Sequence, residues 1–292
     1  SHGCIDKALF EEILTTLFLM ANEHKDLGDY KLINKTLKEL RASFNLFKPY
    51  RETRKVALFG SARLEKADPN YVLARDLSKA LVENGFLIIS GAGGGVMEAA
   101  NEGAGEGKSF GLNIKLPNEQ AANPFIRDSP NLLEFKYFFT RKLVFIKESH
   151  ATVLLPGGFG TLDEGFENIT LFQTGKCMPR PIVLLDHKDD DYWDKWLHFL
   201  DSILIKNGYC SIEDGHLIKR ARNAEEAVSH IKSFYRVFHS LRYVREKTIL
   251  RLNSALSAEC LANLNNEFQD ILHKGKIEST DPLKEELKNK EY

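Results

Sequence analysis

The order of apolar runs and glycine turns predicts an α/β fold: a Rossmann-like doubly wound parallel sheet with a helical N-terminal extension and a small C-terminal α/β appendage. Three observations carry that prediction. Short apolar runs at 56–59, 86–90, 152–155 and 182–185 lack polar alternation, as strands buried on both faces do. Helical stretches separate them, the pattern of a parallel sheet covered by helices. Two of the runs end in glycine clusters, 91–95 and 157–160, each opening the next helix. In such sheets ligands bind beyond the carboxyl ends of the strands.

The chain divides into a helical extension over 1–51, a nucleotide-binding domain over 52–235 and an appendage over 236–292. Ile5, Leu9, Ile13, Leu17 and Met20 recur at helical spacing, so 5–20 is expected to be an amphipathic helix, and a second helical pattern covers about 30–47. After the charged 50–55 segment comes the first strand, ending at Gly60-Ser61. Asp68-Pro69 supplies a cap and a first-turn proline for a helix over 69–84. Helices are expected at 96–106, 138–149, 161–173 and 191–207, with strands at 109–116, ending at Pro117, and at 132–135. In the appendage a strand is expected at 248–252, a helix at 257–273 and a short strand at Lys276-Ile277-Glu278. The charged stretch 281–292 is expected to fray.

Composition excludes several classes. The 292 residues carry 40 Lys and Arg against 41 Asp and Glu, a net charge of -1 that gives no global attraction to nucleic acid or anionic membrane. Cys4, Cys177, Cys210 and Cys260 lie far apart with no C-x-x-C pair, which argues against a disulfide scaffold or zinc site and for a reducing, cytoplasmic setting. No apolar run approaches the ~20 residues of a membrane helix. Leu17 to Ala21 follows Glu11 and Glu12, unlike a signal peptide. Ser1-His2-Gly3, without Met, reads as a trimmed tag or a truncated start and is given no structural weight.

The chemistry concentrates at the glycine turns. In Ser90-Gly91-Ala92-Gly93-Gly94-Gly95-Val96-Met97, glycines let the backbone bring N–H groups to an anion at the positive end of a helix. The run is not G-x-G-x-x-G, and no ribose-binding acid follows, so a dinucleotide is not expected; a plain tight turn is the alternative. Pro156-Gly157-Gly158-Phe159-Gly160-Thr161-Leu162-Asp163-Glu164 repeats the logic without the Gly-Lys-Ser/Thr of a P-loop. Here Glu164 has two readings, a catalytic carboxylate or the third-position partner of Thr161 in a capping box. Arg141, near the start of the 138–149 helix, either faces the same pocket or is a surface cation. Gly60, Ser61 and Arg63 lie at the same edge. Asp189-Asp190-Asp191 reads as a solvated acidic turn rather than a metal site. His150, His187 and His216 are scattered and form no triad. The Tyr235-Arg236, Arg242-Tyr243 and Arg245 stretch reads as a packing junction.

These motifs resemble one family. PGGFGTLDE is similar to the P-G-G-x-G-T-x-x-E signature of the LOG-like proteins, the cytokinin-activating phosphoribohydrolases often labelled lysine decarboxylase-like. Arg141-Lys142 resembles the family's R-K pair, and GAGGGVMEAANEGA and VALFGSAR look like the glycine turn and first strand of its longer bacterial members. The resemblance covers about 55–235. Gly94, Glu98, Asp163 and Gly165 depart from residues common in the family. The resemblance implies hydrolysis of a nucleoside 5′-monophosphate, AMP-like, to free base and ribose 5-phosphate, in a homodimer or larger homo-oligomer. It puts Arg141 and Glu164 at the catalytic positions. Gly60, Ser61, Gly91, Gly93, Gly95, Met97, Gly157, Gly158, Gly160 and Thr161 would bind substrate. No metal and no cofactor are called for, and no Schiff-base lysine for pyridoxal phosphate can be placed. The alternative is a non-enzymatic nucleotide or molybdenum-cofactor carrier of the same fold.

Overall fold

The computed structural model describes residues 7–23, 26–116, 121–284 and 286. The apolar runs form one parallel seven-stranded sheet. Its strands are β1 Lys55–Phe59, β2 Leu87–Ser90, β3 Ser109–Ile114, β4 Leu132–Phe135, β5 Ala151–Leu154, β6 Ile182–Leu185 and β7 Ile218–Ala221. Their order is β4-β3-β2-β1-β5-β6-β7. The chain therefore builds outward from β1 in one direction through β4, then returns to the other side of β1 with β5. β1 is paired in parallel with both β2 and β5. That reversal makes β1 and β5 the switch point, where the connections leave in opposite directions and open a crevice.

Successive strand residues point to opposite faces, and both faces are covered. Val56, Leu58, Ile88, Val153, Val183 and Leu185 pack on α3 Pro69–Glu83, α4 Val96–Ala104 and α8 Ala224–Val237. Ala57, Phe59, Ile89, Leu154, Ile182 and Leu184 face α2 Leu27–Phe47, α5 Phe138–Glu148, α6 Phe159–Gln173 and α7 Tyr192–Phe199. The doubly wound α/β reading holds. Of the N-terminal helices, α2 is seated by Glu39, Ser43 and Phe47, a buried stripe at four-residue spacing. α1 Lys7–Glu23 buries no residue, and Leu9, Phe10, Ile13, Leu14 and Phe18 are exposed.

Several elements differ from the sequence expectation. The 191–207 helix is α7 followed by a π-helical segment, Leu200–Ile205. The basic-aromatic stretch is not a mere junction: Tyr235-Arg236 lie in the last turn of α8, Arg242-Tyr243 lie in β8 Phe238–Val244, and β8 runs antiparallel to β9 Lys247–Leu252 across a turn at Arg245, φ 53°. The helix of the appendage is shorter than expected, α9 Ala258–Glu267. Lys276-Ile277-Glu278 is not a strand. Asn265 Nδ2 donates to the Ile277 carbonyl and its Oδ1 accepts from the Ile277 N–H, each at 2.8 Å, so a side chain satisfies the backbone that a ladder would have used. Ile5, Cys4, Pro117 and most of 281–292 fall outside the described residues.

Candidate functional site

The loop that leaves β1 ties the two glycine turns together. Ser61 N–H donates to the Pro156 carbonyl at 3.0 Å, and the Ser61 carbonyl accepts from Val96 N–H at 2.9 Å. Ser61 Oγ accepts from Arg63 N–H, so its hydroxyl holds its own loop. Close approach demands glycine here. Gly95, φ 60° and ψ -126°, lies in a region that L side chains rarely adopt, and a Cβ on it would collide with the Ser61–Ala62 backbone. A Cβ on Gly60 would strike Val96, and one on Gly157 would strike Thr161 and the Ser61 amide. These three glycines are packing glycines. Gly158 and Gly160 have open space where a Cβ would be.

A buried polar network supports the first turn from beneath. Ser90 Oγ donates to Asn101 Oδ1 and accepts from Ala92 N–H, while Asn101 Nδ2 donates to Ser109 Oγ. Asn123 Nδ2 donates to the carbonyls of Ala92 and Gly93 and to Asn101 Oδ1. This network fixes Ala92 at φ 65°. Above it, an added Cβ at Gly91 would overlap the Arg141 guanidinium and lie 2.5 Å from Met97 Sδ, and one at Gly93 would lie 2.7 Å from Met97 Cε. Gly91, Gly93, Met97 and Arg141 therefore converge. Arg141 Nε donates to the Leu112 carbonyl at 2.8 Å, which fixes its guanidinium at the end of β3. Its other face covers the Phe145 ring. Arg141 is thus not a surface cation.

The second turn settles what Glu164 does not do. α6 begins at Phe159, with Gly158 as N-cap and no side-chain cap bond, two residues before the expected start. Thr161 and Glu164 therefore sit inside the helix, too late to form a capping box around the first N–H groups. α4 likewise starts from a glycine, Gly95, without a side-chain cap. Tyr192 OH donates to the Gly157 carbonyl at 2.6 Å and braces the turn from α7.

Glu164 is buried, 6% exposed, and its Oε2 has no hydrogen-bond partner among the described residues. Lys142 Nζ stands 3.7 Å from Glu164 Oε1, but makes its short contacts to Asp163 at 2.9 Å and Glu167 at 2.6 Å. Burial pushes the Glu164 carboxyl up to about 7, against the opposing pull of Lys142 and then Arg141. Desolvation wins because the nearest cation is already bonded elsewhere. Burial acts to lower the Lys142 pKa, yet the bonds to Glu167 and Asp163 and the Glu164 charge outweigh it, and the net shift is upward. A firmly protonated ammonium is a poor amine nucleophile, so Lys142 does not suit Schiff-base chemistry.

The remaining candidates take structural places. Asp190 is no free acidic turn: its Oδ2 accepts from Asn70 Nδ2 and its Oδ1 from Tyr192 N–H. His150 Nδ1 accepts from Lys55 N–H at the opposite end of the sheet, where burial pulls its pKa down to about 4. Among the described residues, no group of three or more His, Cys, Asp or Glu could hold a metal ion, and no helix is long and apolar enough to cross a membrane. Sequence reasoning gave no role to Lys142, Asn101, Asn123 or Tyr192. Asn123 lay in a loop without periodicity, and only its contacts reveal its place.

A family model described as "Possible lysine decarboxylase" matches residues 97–231. The cytokinin riboside 5′-monophosphate phosphoribohydrolase of Oryza sativa subsp. japonica is 28% identical over 62% of this chain and 74% of its own. An Arabidopsis thaliana protein of the same description is 35% identical over 32% of this chain and 42% of its own. The chain is similar to LOG-like proteins over this region. Among solved structures, the molybdenum cofactor binding protein of Rippkaea orientalis is 19% identical, over 62% of this chain and 97% of that one, with a TM-score of 0.45; a likeness at that level says nothing of activity. The region matched by the family model includes Met97, Arg141, Lys142 and the whole second turn, but neither α2 nor the first strand.

Proposed function

We propose that this protein hydrolyses the N-glycosidic bond of a nucleoside 5′-monophosphate to free base and ribose 5-phosphate. The observation that carries the reading is Glu164: a buried carboxylate with an unpartnered oxygen, in the helix opened by the second glycine turn, within the electrostatic reach of Arg141 and Lys142. The relatives named as cytokinin riboside monophosphate phosphoribohydrolases support the same substrate class.

Breaking the bond between ribose C1′ and the base nitrogen builds positive charge on the ribosyl ring, as in glycoside hydrolysis. Ionised Glu164 stabilises that charge and orients the ribose hydroxyls or the attacking water. The bonding pair leaves with the base, and water supplies the hydroxyl at C1′ and the proton the base takes up. Arg141 stabilises the departing base or holds phosphate. Gly91, Gly93, Gly158, Gly160 and Thr161 line the 5′-phosphate position, at the starts of two helices whose first N–H groups have no intrahelical partner. Gly60, Gly95, Gly157 and Ser61 shape that cradle through backbone packing. Met97 borders it beside Gly91.

The test is incubation with a panel of nucleoside 5′-monophosphates followed by chromatography for free base. Release of base from at least one, lost in Arg141→Ala, supports the reading. Intact nucleotides with every base and bound nucleotide at stoichiometry would favour a carrier instead. A homodimer is part of the proposal, and light scattering at micromolar concentration that returns the 33.2 kDa monomer would remove it.

A further inference from the structure

The N-terminal extension reaches the helix that carries Arg141. Glu39, at the middle of α2, is 4% exposed. Its Oε1 accepts from the backbone N–H of Lys136 at 2.7 Å, across 97 residues of sequence. Lys136 is the residue before Tyr137, the N-cap of α5, and Tyr137 makes no side-chain cap bond. The carboxylate therefore anchors the residue just before the N-cap, near the positive end of the α5 dipole, while its Oε2 has no hydrogen-bond partner among the described residues. Lys35 Nζ, 3.4 Å away and one turn earlier on α2, balances the charge. A further contact holds the same pair of helices, Lys147 Nζ over the Phe44 ring, and Phe47 packed on Phe110 seats α2 on β3, the strand that Arg141 also bonds. Arg141 lies just over one turn into α5, and its Nε bonds to β3. The axial position of α5 thus sets where the guanidinium meets Gly91.

We propose that Glu39 is a positioning residue for Arg141: a carboxylate on the N-terminal extension anchors the segment that leads into the helix of the active site, from outside the catalytic domain. The extension is then part of the catalytic apparatus rather than an appendage. This rests on the reading of Arg141 as a substrate-contacting group.

The experiment compares Glu39→Ala and Glu39→Gln with the wild-type chain for base release from the best nucleotide of the panel, for thermal midpoint, and for amide hydrogen exchange over 136–141. Gln keeps a carbonyl oxygen for the Lys136 N–H, and Ala does not. Expected for Glu39→Ala are a kcat loss on the order of 10–100-fold with a midpoint within a few degrees of wild type, and faster exchange over 136–141. Glu39→Gln should recover kcat to within about threefold, because it retains the acceptor. Wild-type kcat in Glu39→Ala, or equal losses of kcat and midpoint in both variants, overturns the proposal. If the wild-type chain releases no base at all, the proposed function fails. The exchange data then still decide the anchor: unchanged exchange over 136–141 in Glu39→Ala overturns it.

Discussion

Lys142 Nζ lies 3.7 Å from Glu164 Oε1 while bonding closely to Asp163 and Glu167, so the cation beside the buried carboxylate is held by its neighbours on the same helix. Glu164 Oε2 is left without a hydrogen-bond partner among the described residues.

Replacing Glu164 with Gln should lower kcat on the order of 100-fold or more, the cost of removing one transition-state contact, while nucleotide binding and fold persist. Since α6 starts at Phe159, no capping interaction is lost. A variant with near-normal kcat would end the catalytic assignment.

The same substitution should change the pH dependence of stability. The Glu164 pKa is pushed up to about 7 in the folded state from its ordinary 4.5, so the native state holds the proton more tightly. Its favourable contribution is full below about 4.5 and is lost as pH rises toward 7. His150 acts in the opposite direction, losing stability as pH falls from 6.5 toward 4, but is common to both proteins. The midpoint of Glu164→Gln relative to wild type should therefore rise between pH 5 and pH 8, by the equivalent of at most about 3 kcal/mol. A difference independent of pH would mean that Glu164 titrates normally.

Activity should follow the ionised form. In wild type, kcat/KM for the nucleotide should climb with pH and level off above about 7, since Glu164 must lose its proton to stabilise ribosyl charge. A profile flat from pH 5 to 8 would contradict this.

Gly91→Ala and Gly95→Ala should fail in different ways. At Gly91 the new methyl meets the ends of two flexible side chains, Arg141 and Met97, which can move aside. Stability should fall by only about 1–3 kcal/mol, with a loss of kcat/KM exceeding what unfolding explains. At Gly95 the methyl meets backbone at a positive φ, and soluble folded protein should be hard to obtain. Equal midpoints for the two variants would refute the distinction.

The 5′-phosphate should be required. AMP should be cleaved far better than adenosine, because remote phosphate binding positions the ribose for reaction. Equal kcat/KM for both would displace the phosphate from the glycine turns.

The sequence by itself determined the alternation of buried strands and helices, and with it a sheet whose glycine turns share one edge, because unbroken apolar runs and glycine clusters are local signals. It also marked Arg141 and Glu164 through motif resemblance. It did not reveal β7, whose Lys219 and Arg220 break the apolar pattern, or β8, where His239 and Arg242 hide a strand that pairs on the surface. The role of Glu164 was left divided between cap and catalyst, since spacing alone cannot say where a helix begins. Tertiary structure removed the capping reading: Gly158 opens α6 early, and packing buries the carboxylate until desolvation outweighs the nearby charge. The same holds for Glu39 and Asn123, whose partners lie 97 and about 30 residues away. A hydrogen bond between distant segments leaves no periodic trace in sequence, because it depends on the meeting of two elements rather than on the pattern of either.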